Sequence, residues 1–311
     1  MKNQKIRDGD FEFEVENVSK CTLCGSELNI NLGIIVESSL DVKNFYQILQ
    51  CNSCGLGHSQ PRPTAASVGQ LYELKNEYPA MLSRRDFDPD GSKYFSKVKD
   101  FVAKREIRKR LESLNVSSVV DYGAGNGRYS NQIRVLTGGD VCAVDYQDSR
   151  PTQLREDIMY LTVDQFFSNS IAYDVIFLRH VLEHAYDPVD LLRLLASKLN
   201  VGGKIYLEVP NFNSTLRKIF KKSWVGNYLP RHIHHFSEGS LRLAILNAGL
   251  KSEIEMANMP LMGNQFARLL NARSYSLPFK LIGVILHPLE VLIELANHTS
   301  TVLRATVRSN R

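Results

Sequence analysis

The chain lacks any run of about eighteen uninterrupted apolar residues, so no membrane span is expected. No secretory signal is expected either, because charges recur throughout Met1 to Lys20. Cysteine is scarce: there are five in 311 residues, and four of them fall in two Cys-x-x-Cys pairs. That usage fits a reducing compartment and speaks against a disulfide framework. Neither sign of charge dominates. The formal net charge is +5, too modest to indicate nucleic acid by itself. The length leaves room for one large domain and a small one. A cytoplasmic protein is expected, with contact to the inner face of the membrane left open.

What is present is a glycine-rich bend, Asp121-Tyr-Gly-Ala-Gly-Asn-Gly127. The apolar run Ser118-Val-Val120 before it reads as a buried strand, and Arg128 to Arg134 after it reads as a helix start. Gly123, Gly125 and Gly127 let the backbone turn sharply and approach a ligand. Such a bend is weak on its own, since dinucleotide enzymes use a similar one. The context is more specific. A second strand, Val141 to Val144, ends in Asp145, where a ribose diol would sit. Tyr160 to Asp164 reads as a third strand with an acid behind it, and Tyr173 to Leu178 as a fourth. Arg179-His-Val-Leu-Glu-His184 follows, then Asp187-Pro188, and Val201-Gly-Gly203 stands before a fifth strand, Lys204 to Val209.

Over about residues 95 to 260 this series resembles the class I S-adenosylmethionine-dependent methyltransferases. The resemblance implies an α/β fold: a Rossmann-like, seven-stranded, mostly parallel sheet with helices on both faces. It implies S-adenosylmethionine as cofactor. Asp121 and the backbone of Gly123, Gly125 and Gly127 would face its methionine end. Asp145 would accept both ribose hydroxyls in charge-assisted bonds, and Asp164 would meet the adenine amino group. Asp187 reads as a helix N-cap with Pro188 behind it. Glu183 and His184 read as structural residues under the cofactor loop.

Cys21-Thr-Leu-Cys24 and Cys51-Asn-Ser-Cys54 can present four thiolates to one ion. A Cys₄ zinc site has no open position for water, so this Zn²⁺ is expected to be structural. With four cysteines available, His58 reads as a surface residue. The expected domains are a zinc-ribbon module at 1–75 and a methyltransferase domain at 76–311, with lid or acceptor elements at 211–236 and 260–298. The ribbon resembles the leader before some bacterial methyltransferases, including sugar C-methyltransferases and enzymes of surface-polysaccharide clusters. Residues 75–95 read as a linker or lid with a turn at Asp88-Pro-Asp-Gly91, and Lys97 to Arg110 as a basic helix.

Methyl transfer to a hydroxyl needs alignment and a base, and histidine suits neutral pH. Histidine concentrates in Pro230-Arg-His-Ile-His-His-Phe-Ser237, which resembles a segment of many bacterial methyltransferases. On that match His232 is the first candidate base; the alternative is a structural histidine bonded to a backbone carbonyl. His180 is the second candidate. His235 reads as a packing or capping residue, and Arg179 as a holder of an anionic substrate. Leu229 stands where the sugar C-methyltransferases carry a tyrosine, which favours O-methylation. Leu216 to Trp224 reads as a basic amphipathic segment, residues 277–296 as two amphipathic helices split at Pro288, and Thr301 to Val307 as a last, antiparallel strand beside the fifth. The expected acceptor is a sugar, nucleotide-sugar or glycan hydroxyl. The alternatives are an RNA or other nucleic-acid acceptor held by the ribbon and basic helix, a small lipid or quinone-type acceptor, and a cofactor-binding partner subunit without catalysis. Nucleic acid is the less favoured partner, and the oligomeric state stays open.

Overall fold

A computed structural model of the protein describes residues 4–8, 11–28, 34–37, 45–69, 103–111, 116–270 and 277–309. The expected linker at 75–95, the expected boundary at 75/76 and the start of the basic stretch lie outside these residues. The strands are β1 (Gln4–Asp8), β2 (Phe11–Glu16), β3 (Ile34–Glu37), β4 (Phe45–Gln50), β5 (Gly57–Gln60), β6 (Arg62–Pro63), β7 (Ser118–Tyr122), β8 (Asp140–Asp145), β9 (Met159–Thr162), β10 (Tyr173–Arg179), β11 (Leu199–Pro210), β12 (His234–His235), β13 (Lys251–Ala257) and β14 (Val302–Arg308). The helices are α1 (103–111), α2 (Arg128–Thr137), α3 (Val163–Ser168), α4 (Pro188–Ser197), α5 (Thr215–Phe220), α6 (Glu238–Asn247), α7 (Met262–Leu269) and α8 (Leu277–Ala296).

Seven strands form the central sheet in the order β13-β14-β11-β10-β7-β8-β9. Five neighbours, β11 through β9, run parallel, and β14 lies antiparallel between β11 and β13. This is the mostly parallel sheet the sequence implies, including the antiparallel last strand beside the fifth. The inner strands are apolar on both faces, as a parallel sheet covered by helices requires. Val120, Ile176 and Leu178 pack towards Leu192 and Leu241, while Val119, Val175 and Phe177 pack towards Ile107 and Ile133. Strand order reverses between β7 and β10, and ligands bind at the carboxyl edge of such a switch point.

The helix ends follow local rules. Asp187 Oδ1 accepts from Val189 and Asp190 N–H at 3.0 and 2.9 Å, with Pro188 in the first turn. Thr162 and Gln165 form a capping box that opens α3, and Ser237 with Ser240 does the same for α6. The expected third strand therefore stops at Thr162, and Asp164 belongs to the first turn of α3.

One correction concerns residues 277–296, which form a single helix with Pro288 inside it. An interior proline costs about 3 kcal/mol of helix stability, but α8 is held on both sides of it. Before Pro288, Gly263 of α7 meets Gly283 of α8 backbone to backbone; a Cβ on Gly263 would strike Phe279 O. After it, Glu290 accepts the Leu261 N–H at 2.8 Å and also the Met262 N–H, while Glu294 accepts from Ser214 Oγ, Thr215 N and Leu216 N at 2.6, 3.0 and 2.9 Å. Both carboxylates are fully buried and cap the starts of α7 and α5. The outer face of α8 is left to Leu281, Val284, Ile285, Leu289, Leu292 and Leu295, all exposed.

The amino-terminal strands form two small sheets, β1-β2-β6 and β12-β5-β4-β3. The second contains β12, which follows β11 in the chain and pairs antiparallel with β5, His234 opposite His58 and His235 opposite Gly57. Cys21, Leu23, Leu28, Leu49, Cys51 and Leu56 join the same buried cluster as Leu192, Phe236 and Leu241. The cysteine-bearing module thus shares a core with one face of the central sheet.

Candidate active site and metal centre

At the carboxyl edge of β7 the chain turns through Gly123, Gly125 and Gly127 with φ of +81°, +60° and +79°. At Gly123 the space of a Cβ is filled by Val181, and at Gly127 a Cβ would lie 2.8 Å from Leu154 Cδ1. Those two glycines are therefore demanded by the fold itself, beyond any ligand. Gly123 and Ala124 N–H bond to Val144 O, at 2.8 and 3.0 Å, which ties the bend to the end of β8.

Two buried carboxylates stand beside the bend. Asp121 Oδ2 accepts from Ser130 Oγ at 2.6 Å. Burial pushes its pKa up to about 6, against the opposing pull of Ser130 and Arg179. Asp145 Oδ2 accepts the Gly125 N–H at 2.7 Å. The left-handed bend, two acids at adjacent strand ends and the amino end of α2 converge at the switch point. This arrangement fits a nucleoside carrying a cationic amino-acid end. Asp164, the third expected acid, is exposed one strand further along.

The next strand end carries a charged cluster. His180 is held at φ +53°, with Nδ1 3.3 Å from Glu183 Oε1 and Nε2 3.2 Å from Glu208 Oε1. Burial works to lower its pKa, but the two carboxylates win and raise it to about 9. Glu208 is buried and in turn held well below the usual carboxylate range by Arg179, His180 and Arg304, which outweigh its desolvation. Arg179 Nη2 lies 3.2 Å from Glu208 Oε1, and its guanidinium rests 4.3 Å above the Tyr129 ring. Arg179 was expected to hold an anionic substrate; it is already paired with Glu208, which it shares with His180 and Arg304, so such a substrate would compete with that carboxylate.

His232 lies against the same cluster from the other side. Its Nδ1 is 3.0 Å from Gly226 O, and its Nε2 is 3.7 Å from Glu183 Oε1. The carbonyl only accepts, so Nδ1 carries the proton and Nε2 presents a lone pair. Burial, together with His184 and His235 nearby, keeps His232 well below the usual histidine range and therefore neutral. His184 packs edge-on against His232, ring centroids 4.8 Å apart, and its Nδ1 bonds Arg231 O at 2.8 Å. The structure therefore brings both candidate bases, His180 and His232, to one carboxylate, Glu183.

The four expected metal ligands also meet. Cys21, Cys24, Cys51 and Cys54 place their Sγ atoms within 4.8 Å of one another, with Cys21–Cys54 and Cys24–Cys51 at 3.5 Å. A tetrahedral zinc thiolate with Zn–S of about 2.3 Å needs S–S edges of about 3.8 Å, so the set fits such an ion. His58 is not the surface residue expected. It is buried on β5 with Nε2 3.3 Å from Cys21 Sγ. Its strand also supports the histidine loop. Ser59 Oγ donates to His232 O at 2.6 Å and accepts from His235 Nε2 at 2.9 Å, and His234 Nε2 meets Thr22 Oγ1 at 2.9 Å. His234 and His235 thus belong to the cysteine module, in line with the packing role expected for His235. Ser59, Thr22 and Glu208 were missed by sequence reasoning; no motif marks them, and only the pairing of β12 with β5 gives the first two a role.

A Rossmann-like sheet of this strand order, with a glycine bend and two acids at its switch point, is an architecture that binds a nucleotide-type cofactor. The comparisons with known proteins agree. A model of the methyltransferase-domain family matches residues 91–253, over half of the chain. The chain belongs to that family and is an S-adenosylmethionine-dependent methyltransferase. A ubiquinone biosynthesis O-methyltransferase of Xanthomonas axonopodis pv. citri is 25% identical over 206 residues, 61% of this chain and 85% of that protein. The [4+2]-cyclase SpnF shares the fold with a TM-score of 0.51 at 15% identity, over 80% of this chain and 97% of that one. A structure of the Haloferax volcanii Trm112 methyltransferase activator with a putative methyltransferase gives a TM-score of 0.50 at 17% identity, over 74% of this chain and 100% of that one. At these identities the two structures speak for the fold alone. Among the described residues, no helix is long and apolar enough to cross a membrane.

Proposed function

We propose that this protein O-methylates a hydroxyl of a small-molecule acceptor. Asp121 and the backbone at Gly123, Gly125 and Gly127 hold the methionine end of the cofactor, Asp145 takes its ribose and Asp164 its adenine. Bound there, S-adenosylmethionine supplies a methyl group on a sulfonium sulfur. The four cysteines hold a structural zinc ion, and the domains divide as 1–75 and 76–311. The acceptor hydroxyl lies at the Glu183–His184–His232 group, where the neutral His232 Nε2 takes its proton and the His180 cation offsets the carboxylate charge. The observation that carries this reading is the contact of Val181 with the glycine bend. That contact sets the histidine group directly under the expected cofactor loop.

The name of the 25% identical relative favours a quinone-type acceptor over the sugar, nucleotide-sugar or glycan that resemblance implied. The exposed apolar face of α8, beside the α5 segment with exposed Lys218, Lys221 and Lys222, supports work at the inner face of a membrane. An RNA acceptor loses support, because the cysteine module spends one face on the histidine loop. The test is S-adenosylhomocysteine release with catechol-type quinone precursors and, separately, nucleotide-sugars. Turnover on the catechols, lost at least 100-fold in His232→Gln, supports the proposal. Turnover only on sugars refutes the acceptor, and unchanged turnover in His232→Gln refutes the base.

A further inference from the structure

We infer that Glu183, His184 and His232 form a second metal site, which takes a divalent first-row transition-metal ion. One ligand atom from each residue lies within 4.8 Å of the other two. Both imidazoles have their tautomer fixed from outside. The carbonyls of Gly226 and Arg231 accept from the Nδ1 atoms, at 3.0 and 2.8 Å, so in each ring Nε2 is the nitrogen that carries the lone pair. Metal-bound histidines are oriented in this way, with the second ring nitrogen held by a carbonyl.

Glu183 supplies the independent observation. Its side chain is 1% exposed, and among the described residues its buried Oε2 has no hydrogen-bond partner. Its Oε1 faces His232 Nε2 across 3.7 Å, which is too long for a hydrogen bond and sets a lone pair against a carboxylate. A buried carboxylate oxygen without a partner is unfavourable, and a cation held by the carboxylate and the two imidazoles would compensate its charge. His180 answers only Oε1. The backbone fixes the set from both ends, since Ile233 N–H bonds Glu183 O at 3.0 Å.

Two imidazoles and one carboxylate suit Zn²⁺, Co²⁺ or Mn²⁺, and leave coordination positions open, unlike the closed four-thiolate site. Resting on the O-methylation reading, an open position takes the acceptor oxygen. An ion there lowers the pKa of a bound hydroxyl, as it lowers that of water to about 7. With the ion bound, the hydroxyl proton passes to solvent and His232 is a ligand; in the metal-free protein His232 Nε2 takes the proton as proposed above.

The test loads the full-length protein with Co²⁺ after complete metal removal and counts ions per chain by mass spectrometry and absorbance. Thiolate-bound Co²⁺ gives intense charge-transfer bands, and the nitrogen–oxygen site adds only weak visible bands. Wild type is expected to hold one ion more per chain than Glu183→Gln, with the thiolate bands equal in both. His184→Asn is expected to lose the same ion. Equal metal content in wild type and both variants overturns the inference. S-adenosylhomocysteine titration runs alongside: binding retained in the variants shows that they are folded, and no binding even in wild type would refute the methyltransferase reading while leaving the metal count to stand by itself.

Discussion

Replacing Gly123 by alanine tests the bend on which the cofactor reading depends. The position has φ of +81°, and an added Cβ would collide with Val181 Cγ2. The left-handed conformation costs a non-glycine residue about 1–2 kcal/mol. Relieving the collision in a packed site costs a further 1–3 kcal/mol or so. The expected loss is therefore about 3 kcal/mol, which at about 2.1 cal/mol/K per residue lowers the Tm of this chain by roughly 5 °C. Thermal unfolding followed by circular dichroism reads it. The steric part can be separated, because Val181→Ala empties the occupied space. In the Gly123→Ala/Val181→Ala protein the alanine should cost about 1–2 kcal/mol only, giving a coupling of about 1–3 kcal/mol in the double-mutant cycle. Both Gly123→Ala proteins should bind S-adenosylhomocysteine at least tenfold more weakly, since the displaced loop carries Gly125. Strict additivity of the two substitutions would show that Val181 does not fill this space, and unchanged affinity would detach the bend from the cofactor.

Asp121, raised by burial to about 6, must ionise to meet a cationic methionine end; S-adenosylhomocysteine affinity should be flat above pH 7 and fall by up to tenfold per pH unit below about 6, while a constant affinity from pH 7 to pH 5 would contradict its role. His180 has a folded pKa of about 9, above its unfolded value near 6.5, so its contribution is complete below about pH 6.5 and is lost as pH rises through 9. With the side chain 35% exposed, screening discounts the roughly 3 kcal/mol implied by the shift to about 1–2 kcal/mol. The urea midpoint should fall from pH 7 to pH 9 in wild type and much less in His180→Ala; equal slopes would refute the assignment. Glu294→Ala strips buried donors at Ser214, Thr215 and Leu216 of their acceptor and should cost about 3 kcal/mol or more, whereas a Tm within 2 °C of wild type would show that α8 does not anchor α5.

Asp121, Gly123 to Gly127, Asp145 and the five parallel strands of the central sheet could be read from sequence because each depends on local chemistry. A buried parallel strand is a short apolar run, an acid stands at its end, and glycine appears where φ turns positive. The four cysteines were legible for the same reason, through two short spacings. What was not legible depends on residues far apart in the chain. The pairing of β12 with β5 joins His234 to His58 across five intervening strands of the central sheet, and two-residue strands leave no periodicity. Hence His58 was placed on the surface and Ser59 was not noticed. Arg179 looked available because Glu208, its partner, lies on the next strand of the sheet. The proline in α8 signalled a break because the clamps that keep the helix whole, Gly263 and the α5 start, belong to other elements.

Calorimetric titration of the zinc-loaded wild-type protein with S-adenosylhomocysteine, repeated with Asp145→Asn, addresses the central claim most directly. One site per chain in wild type, weakened at least tenfold in Asp145→Asn with Tm otherwise preserved, is the predicted result. Absence of binding in wild type, or equal affinity in the two proteins, would contradict the placement of the cofactor between the glycine bend and the end of β8.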